Sequence, residues 1–166
     1  MNEARQRIFE LVQRLFKERH ADIEPHRACA YLAKIGMEVL SRYPRFYRPV
    51  LQAGTMQWEI VPKHLDDGVR GTHFAFKWSP TDFNSILAMA SGGIPEMHVW
   101  IALPDTNEIV DFSTGTFPAF VSTLGMEWLA PKPPDFLWQD VSQAAAEGHF
   151  YEPNEVATRY ALSFKL

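Results

Sequence analysis

The stretch that decides the fold is MHVWIALPDTNEIVDFS, residues 97–113. Two runs rich in β-branched and aromatic residues flank the turn-forming residues 104–107. This pattern predicts two strands, 97–103 and 108–113, joined by a four-residue hairpin loop.

The length of that loop sets the register of the hairpin. Leu103 is predicted to pair with Glu108, so that Trp100 pairs with Asp111 further along. Paired residues share a face of the sheet, which makes His98 and Asp111 diagonal neighbours. A loop of odd length would place the two side chains on opposite faces. The hairpin therefore predicts a carboxylate beside an imidazole.

Helices are predicted before these strands. Residues 3–19 have apolar side chains at helical spacing, which indicates an amphipathic helix. A second helix is predicted from Pro25 to about Ser41, with Asp22 or Glu24 as its cap, because proline suits a first helical turn. Pro44 ends it.

The remaining elements are predicted as strands at 49–61 and 71–78, helices at 83–90 and 117–129, a short strand near 136–138, and a last helix at 155–162 capped by Asn154. Helices followed by mostly antiparallel strands indicate an α+β fold. The length fits one domain, residues 1–166. Its parts are a helical part at 1–45, a sheet at 46–115, and C-terminal helices with a short strand at 116–166.

Composition excludes several classes of protein. The chain has 166 residues, 46% of them hydrophobic, and a net charge of −4, which gives no basic field for a nucleic acid. A single cysteine excludes a disulfide framework and a multi-cysteine zinc site. The histidines lack zinc-site spacing, so no metal or cofactor is expected. No apolar run is long enough to cross a membrane and the N-terminus lacks a signal-peptide core, so a cytoplasmic protein is expected.

Three residues form a candidate catalytic set. Cys29 lies near the start of the second predicted helix, where unpaired backbone N–H groups favour a thiolate. His98 can take the thiol proton, and Asp111 can orient the imidazole and support its charge. The alternative for Cys29 is a small buried side chain with a packing role only.

The order Cys29, His98, Asp111, with His98-Val99-Trp100 opening a strand, resembles the papain-like superfamily in its transglutaminase-like branch. The resemblance covers roughly residues 25–115. It implies N-terminal helices packed on a mostly antiparallel sheet. It also implies a cysteine hydrolase or acyltransferase that acts on an amide, ester or thioester of a small molecule or peptide.

The sequence departs from the papain-like pattern at one point. Many papain-like proteases have a glutamine before the cysteine as oxyanion donor, and residues 22–28 contain none. The Cys29 backbone N–H, with Gln57 or Trp58, is predicted to replace it, and Trp100 is predicted to line the cleft.

Two alternatives stay open at the level of sequence. His73, on the predicted strand 71–78, is a rival general base. The chain can also be a non-catalytic binding or structural domain with the same fold, in which Cys29 is buried and His98 bonds Asp111 for structural reasons. Neither a nucleic acid nor a membrane is expected as a partner.

Overall fold

The protein consists of a layer of helices and an antiparallel sheet. The computed structural model describes residues 3–24, 27–45, 47–60 and 73–164. The helices are α1 (Glu3–Arg19), α2 (Ala28–Ser41), α3 (Phe83–Ala90), α4 (Phe117–Thr123), α5 (Val141–Ala146) and α6 (Glu155–Ser163). The strands are β1 (Val50–Glu59), β2 (His73–Phe76), β3 (His98–Leu103), β4 (Glu108–Asp111), β5 (Leu137–Asp140) and β6 (His149–Pro153).

The six strands form one curled sheet in which each pairing is antiparallel. β1 is the hub, because β2, β3 and β6 all pair with it. β4 and β5 extend the sheet from β3. With α1 and α2 preceding the sheet, the predicted α+β class is confirmed.

Two of the strands follow one another along the same edge of β1. β6 pairs along the other edge, so β2 and β3 share the remaining one. Phe76, the last residue of β2, pairs with Met56, and His98, the first residue of β3, pairs with Gly54. The residues between them, 77–97, leave the sheet and contain α3. We call this segment the 77–97 excursion.

Both faces of the sheet are covered by apolar side chains. On one face, α1, α2 and α6 pack against β1, β3 and β4 to form a first cluster, with Val12, Leu32, Ile35, Leu51, Ile101, Val110 and Phe112 among its members. The opposite face carries a second cluster, formed by Met56, Trp58, Phe74, Phe76, Trp100, Ile109, Phe117, Val121 and Leu137. A polar side chain on either face therefore lies in a dry environment.

Helix α2 lies very close to the sheet, and a glycine makes this possible. A Cβ at Gly36 would approach Phe112 Cε2 to 2.5 Å and Ile101 Cδ1 to 2.7 Å, inside van der Waals contact. Only a residue without a side chain fits such an approach. The docking of α2 on β3 and β4 fixes where its first turn, which carries Cys29, lies relative to the strands.

The start of α2 differs from the sequence prediction. The helix begins at Ala28, and Arg27 occupies the N-cap position without a side-chain capping hydrogen bond. Neither Asp22 nor Glu24, the predicted caps, therefore occupies the N-cap position of α2. The turn closes through the backbone instead, since the Arg27 N–H donates to the Glu24 carbonyl at 2.9 Å. Pro25 lies outside the described residues.

Most other predicted elements are confirmed. The predicted helices at 3–19 and 83–90 have those bounds, and Asn154 caps α6 by accepting from the Val156 and Ala157 N–H groups. The predicted strands are present with ends that differ by one to two residues, and residues 61 and 71–72 of the predictions lie outside the described residues.

The segment after β4 differs most from the prediction. The helix predicted at 117–129 is wrong beyond Thr123, because Gly125 adopts a φ of 72° just after the helix end. Two elements, α5 and β6, were not predicted at all. In the part of the chain that the structure describes, no helix has the length and apolar character that a membrane span requires.

Candidate active site

His98 and Asp111 form a hydrogen-bonded pair. His98 Nε2 lies 2.6 Å from Asp111 Oδ2, and the two side chains are 0% and 1% exposed. The hairpin register explains the contact: Leu103 pairs with Glu108 as predicted, and this places His98 and Asp111 diagonally on one face. The predicted neighbourhood of the carboxylate and the imidazole is confirmed.

Four donors surround the carboxylate of Asp111. Ser113 donates to Oδ1 twice, from its backbone N–H at 2.9 Å and from its hydroxyl at 2.6 Å. Oδ2 receives the Tyr151 hydroxyl at 2.9 Å in addition to His98. Burial alone would raise the pKa of Asp111, but His98 and the Ser113 hydrogen bonds lower it below its ordinary value. Asp111 is therefore a fixed anion at neutral pH.

The charge of Asp111 determines the protonation of His98. Burial alone would lower the pKa of the imidazole, but the charge of Asp111 and the hydrogen bond to it outweigh burial. Interaction with Cys29 raises the pKa further, to about 10 in total. His98 is thus an imidazolium at neutral pH, paired with a carboxylate.

Cys29 lies in the first turn of α2 and is 4% exposed. It is near enough to raise the pKa of His98. The second ring nitrogen, His98 Nδ1, is buried and has no hydrogen-bond partner among the described residues. Cys29 therefore raises the pKa of His98 through its hydrogen-bonding capacity and its charge, without meeting hydrogen-bond geometry at Nδ1. The two ring nitrogens have different surroundings: Nε2 contacts the Asp111 carboxylate, and Nδ1 has no hydrogen-bond partner among the described residues.

Tyr151 is a site residue that sequence reasoning missed. Its hydroxyl donates to Asp111 and accepts from Trp58 Nε1 at 3.2 Å, which links β1, β4 and β6. Burial and the charge of Asp111 raise the pKa of Tyr151 well above its ordinary value, so it stays a donor. No local signal marks it, because β6 has no clear strand pattern. Ser113 was within the predicted strand, but its role depends on a turn at the strand end.

The other sequence candidates lie elsewhere or are already engaged. Gln57 pairs with Ala75 and Phe150, and strand alternation points it to the face opposite His98. It is not placed as an oxyanion donor.

The indole N–H groups predicted near the site both have acceptors. Trp58 donates to Tyr151, and Trp100 donates to Gln52 Oε1 at 3.1 Å. Both rings are buried in the second cluster, so they support the His98 face rather than offering free donors.

The rival base His73 is exposed and pairs with Glu59 at the far end of β1 from Gly54, the partner of His98. The structure does not bring His73 to Asp111 or Cys29. The described ranges also contain no group of three or more side chains suited to hold a metal ion.

The chain has no match among protein-family models or curated proteins. A crystal structure of a genomics target is similar in fold, with a TM-score of 0.52 and 17% sequence identity. The alignment covers 93% of this chain and 67% of the other. At this identity the similarity concerns the fold alone, and it supports an α+β architecture for almost the whole chain.

Proposed function

We propose that this protein is a cysteine hydrolase or acyltransferase with a papain-like, transglutaminase-like fold. Cys29 is the nucleophile, His98 is the general acid and base, and Asp111 orients and charges His98. One observation carries the proposal: Asp111 holds the buried His98 through Nε2, Nδ1 has no hydrogen-bond partner among the described residues, and Cys29 contributes to the raised pKa of the ring. A purely structural histidine would be expected to bond through both nitrogens.

The proposed reaction passes through a thioester. In the proposed resting state the proton of the Cys29 thiol already lies on His98 Nδ1, and the Sγ thiolate attacks the carbonyl carbon of an amide, ester or thioester. The tetrahedral intermediate collapses, the bond to the leaving group breaks, and His98 returns the proton to that group. Water or an amine then attacks the thioester, gives a proton to His98, and releases the acyl group while Cys29 leaves as the thiolate.

Two features of the site support this chemistry. An imidazolium that persists through neutral pH favours the thiolate form of its partner thiol. The position of Cys29 in the first turn of α2 also provides backbone N–H groups that no helical carbonyl accepts, and these suit a developing oxyanion.

The burial of Cys29 favours a second candidate, a non-catalytic domain in which the three residues only pack and bond. The two candidates differ in thiol reactivity. A catalytic Cys29 reacts in the native protein, whereas a structural one reacts only after unfolding.

Alkylation by iodoacetamide tests the proposal. Cys29 is the only cysteine, so intact-mass measurement reports on this site alone. A free thiol is only a few per cent thiolate at pH 7. We expect native Cys29 to react roughly tenfold faster at pH 6.5 than the cysteine of an unstructured peptide. Cys29→Ala is the blank, and Cys29→Ser should lose esterase activity with little loss of stability. If iodoacetamide alkylates Cys29 only in guanidinium chloride, the proposed enzymatic function is excluded.

A further inference from the structure

We infer that an apolar groove beside His98 binds the acyl part of the substrate, and that this part is uncharged and apolar. The inference rests on the proposed function, since it concerns the substrate of the same site. It identifies a substrate class: esters, thioesters or amides of aliphatic or aromatic acids without a negative charge near the carbonyl.

The groove has a volume of about 490 Å³, within the usual range of small-ligand sites. Its walls come from β2, from the end of the 77–97 excursion and from the region of α4. Most of the lining side chains are apolar, among them Phe74, Phe76, Ile94, Met97, Phe120 and Leu124.

A stack of rings connects the groove to the catalytic pair. The centroid of the Phe76 ring lies 5.1 Å from that of the His98 ring and 5.2 Å from that of the Phe120 ring. Met97, which also lines the groove, immediately precedes His98 in the chain. The groove and His98 therefore share a wall formed by Phe76 and Met97.

The charges around the groove exclude anionic acyl groups. Glu96 is its only acidic lining residue, and no lysine or arginine lines it among the described residues. The Glu96 carboxylate lies at the Lys77 backbone N–H, 3.4 Å away. His73 also lines the groove, but no lysine or arginine among the described lining residues offsets the Glu96 charge that a carboxylate or phosphate on the acyl group would meet.

Activated esters of two chain lengths test the inference. In the reaction, Cys29 Sγ attacks the carbonyl of p-nitrophenyl octanoate or acetate, the C–O bond breaks, and p-nitrophenolate leaves as Cys29 becomes a thioester. Water then releases the acid. The rate of p-nitrophenolate release is divided by the rate with a small free thiol, which removes the intrinsic reactivity of each ester.

We expect the octanoate to acylate Cys29 about tenfold or more faster than the acetate, which corresponds to burial of roughly two methylene groups. The hemisuccinate ester, which carries a carboxylate, should react no faster than the acetate.

Leu124 is 56% exposed in the groove, and Leu124→Asp should lower the ratio of the octanoate rate to the acetate rate severalfold. The matched control is Leu162→Asp, since Leu162 is 60% exposed on α6 away from the groove, and it should alter neither rate.

The outcomes separate the inference from the function on which it rests. If Cys29 reacts with iodoacetamide but the normalised rates with octanoate and acetate are equal, the groove does not bind the acyl part. The proposed enzymatic function then still stands. An equal effect of Leu124→Asp and Leu162→Asp leads to the same conclusion. A Cys29 silent to iodoacetamide and to both esters overturns the proposed function and the groove with it.

Discussion

Asp111 accepts four hydrogen bonds, and its charge is what keeps His98 protonated. The pair therefore links stability to pH. The pKa of His98 rises from 6.5 to about 10 on folding. Its contribution to the unfolding free energy is therefore complete below pH 6.5 and disappears as pH rises towards 10. Because the pKa of Asp111 is lowered, its contribution is present above its usual value of 3.8 and is lost as pH falls below that.

Asp111→Asn removes the charge that raises the pKa of His98. We expect the wild type to have a higher unfolding free energy than the variant, with the largest difference near pH 5–6. The difference should shrink by at most about 1.4 kcal/mol per pH unit between pH 6.5 and 10. Urea unfolding at four pH values measures it, with Asp105→Asn as the exposed-carboxylate control. A difference that does not vary with pH would mean that Asp111 does not set the charge of His98.

Tyr151→Phe tests the positioning role of the Tyr151 hydroxyl. The variant removes one donor from Asp111 and leaves the Trp58 N–H without its acceptor, at a cost of about 1–3 kcal/mol in unfolding free energy. Since the Asp111 carboxylate loses a donor, its pKa rises and acid unfolding should begin at higher pH.

Thermal unfolding and acid titration measure both effects of Tyr151→Phe. Tyr43→Phe, at a 45% exposed tyrosine, is the control and should change neither. If acid unfolding of Tyr151→Phe begins at the same pH as in wild type, the Tyr151 hydroxyl does not lower the pKa of Asp111.

Part of this site is predictable from sequence and part is not. The contact between His98 and Asp111 follows from a loop length, because strand alternation converts residue counts into faces. Tyr151 is 40 residues from Asp111, and only the pairing of β6 with β1 brings it there. Burial on both faces of the sheet also cannot be deduced from one strand. The sequence therefore does not indicate that the His98 face carries a second apolar cluster.

At the scale of elements, the placement of α2 determines where Cys29 lies. Gly36→Ala would force its new methyl group into Phe112 and Ile101, so the helix must shift away from the sheet. We expect a loss of about 1–3 kcal/mol in unfolding free energy. Because the shift moves the first turn as well, the alkylation rate of native Cys29 should also change.

Gly93→Ala is the matched control for Gly36→Ala. A Cβ there meets nothing closer than 3.4 Å, so stability and thiol reactivity should stay near wild type. Loss of stability in Gly36→Ala without any change in thiol reactivity would separate helix docking from the site.

Local pattern was sufficient for some elements and insufficient for others. α1 has a long amphipathic repeat, and its predicted bounds are confirmed. β6 is His-Phe-Tyr-Glu-Pro, which contains a strand-breaking proline and an exposed phenylalanine. It forms a strand because it pairs with a free edge of β1. This pairing depends on the tertiary structure and cannot be predicted from the sequence of the segment alone.

At the scale of the molecule, His98 and Asp111 are closed from solvent, and the 77–97 excursion leaves the sheet at the point where β2 ends and β3 begins. α3 within it exposes Phe83, Ile86 and Leu87, and the Tyr160 hydroxyl of α6 donates to the Gly93 carbonyl at 2.6 Å. This hydrogen bond ties the excursion to the helical layer.

Tyr160→Phe should loosen the 77–97 excursion. Loss of one hydrogen bond costs about 0.5–1.5 kcal/mol locally, so the excursion opens more often and native Cys29 is alkylated severalfold faster. Global unfolding should change little. Alkylation kinetics and the thermal midpoint measure the two effects, with Ser163→Ala on the same helix as control. An unchanged rate would show that access to Cys29 does not pass beneath the excursion.

The interruption between β2 and β3 also bears on how such a protein can evolve. Only Thr55 separates Met56 from Gly54 on β1, so one residue would suffice to span what twenty-one residues now span. The excursion is in effect an insertion within a single strand, and its length is independent of the hydrogen-bond ladder. A lineage can therefore lengthen, shorten or replace one wall of the groove while the strand that presents the imidazole stays in place. Under the proposed function, substrate preference and catalytic geometry are in this way open to separate selection.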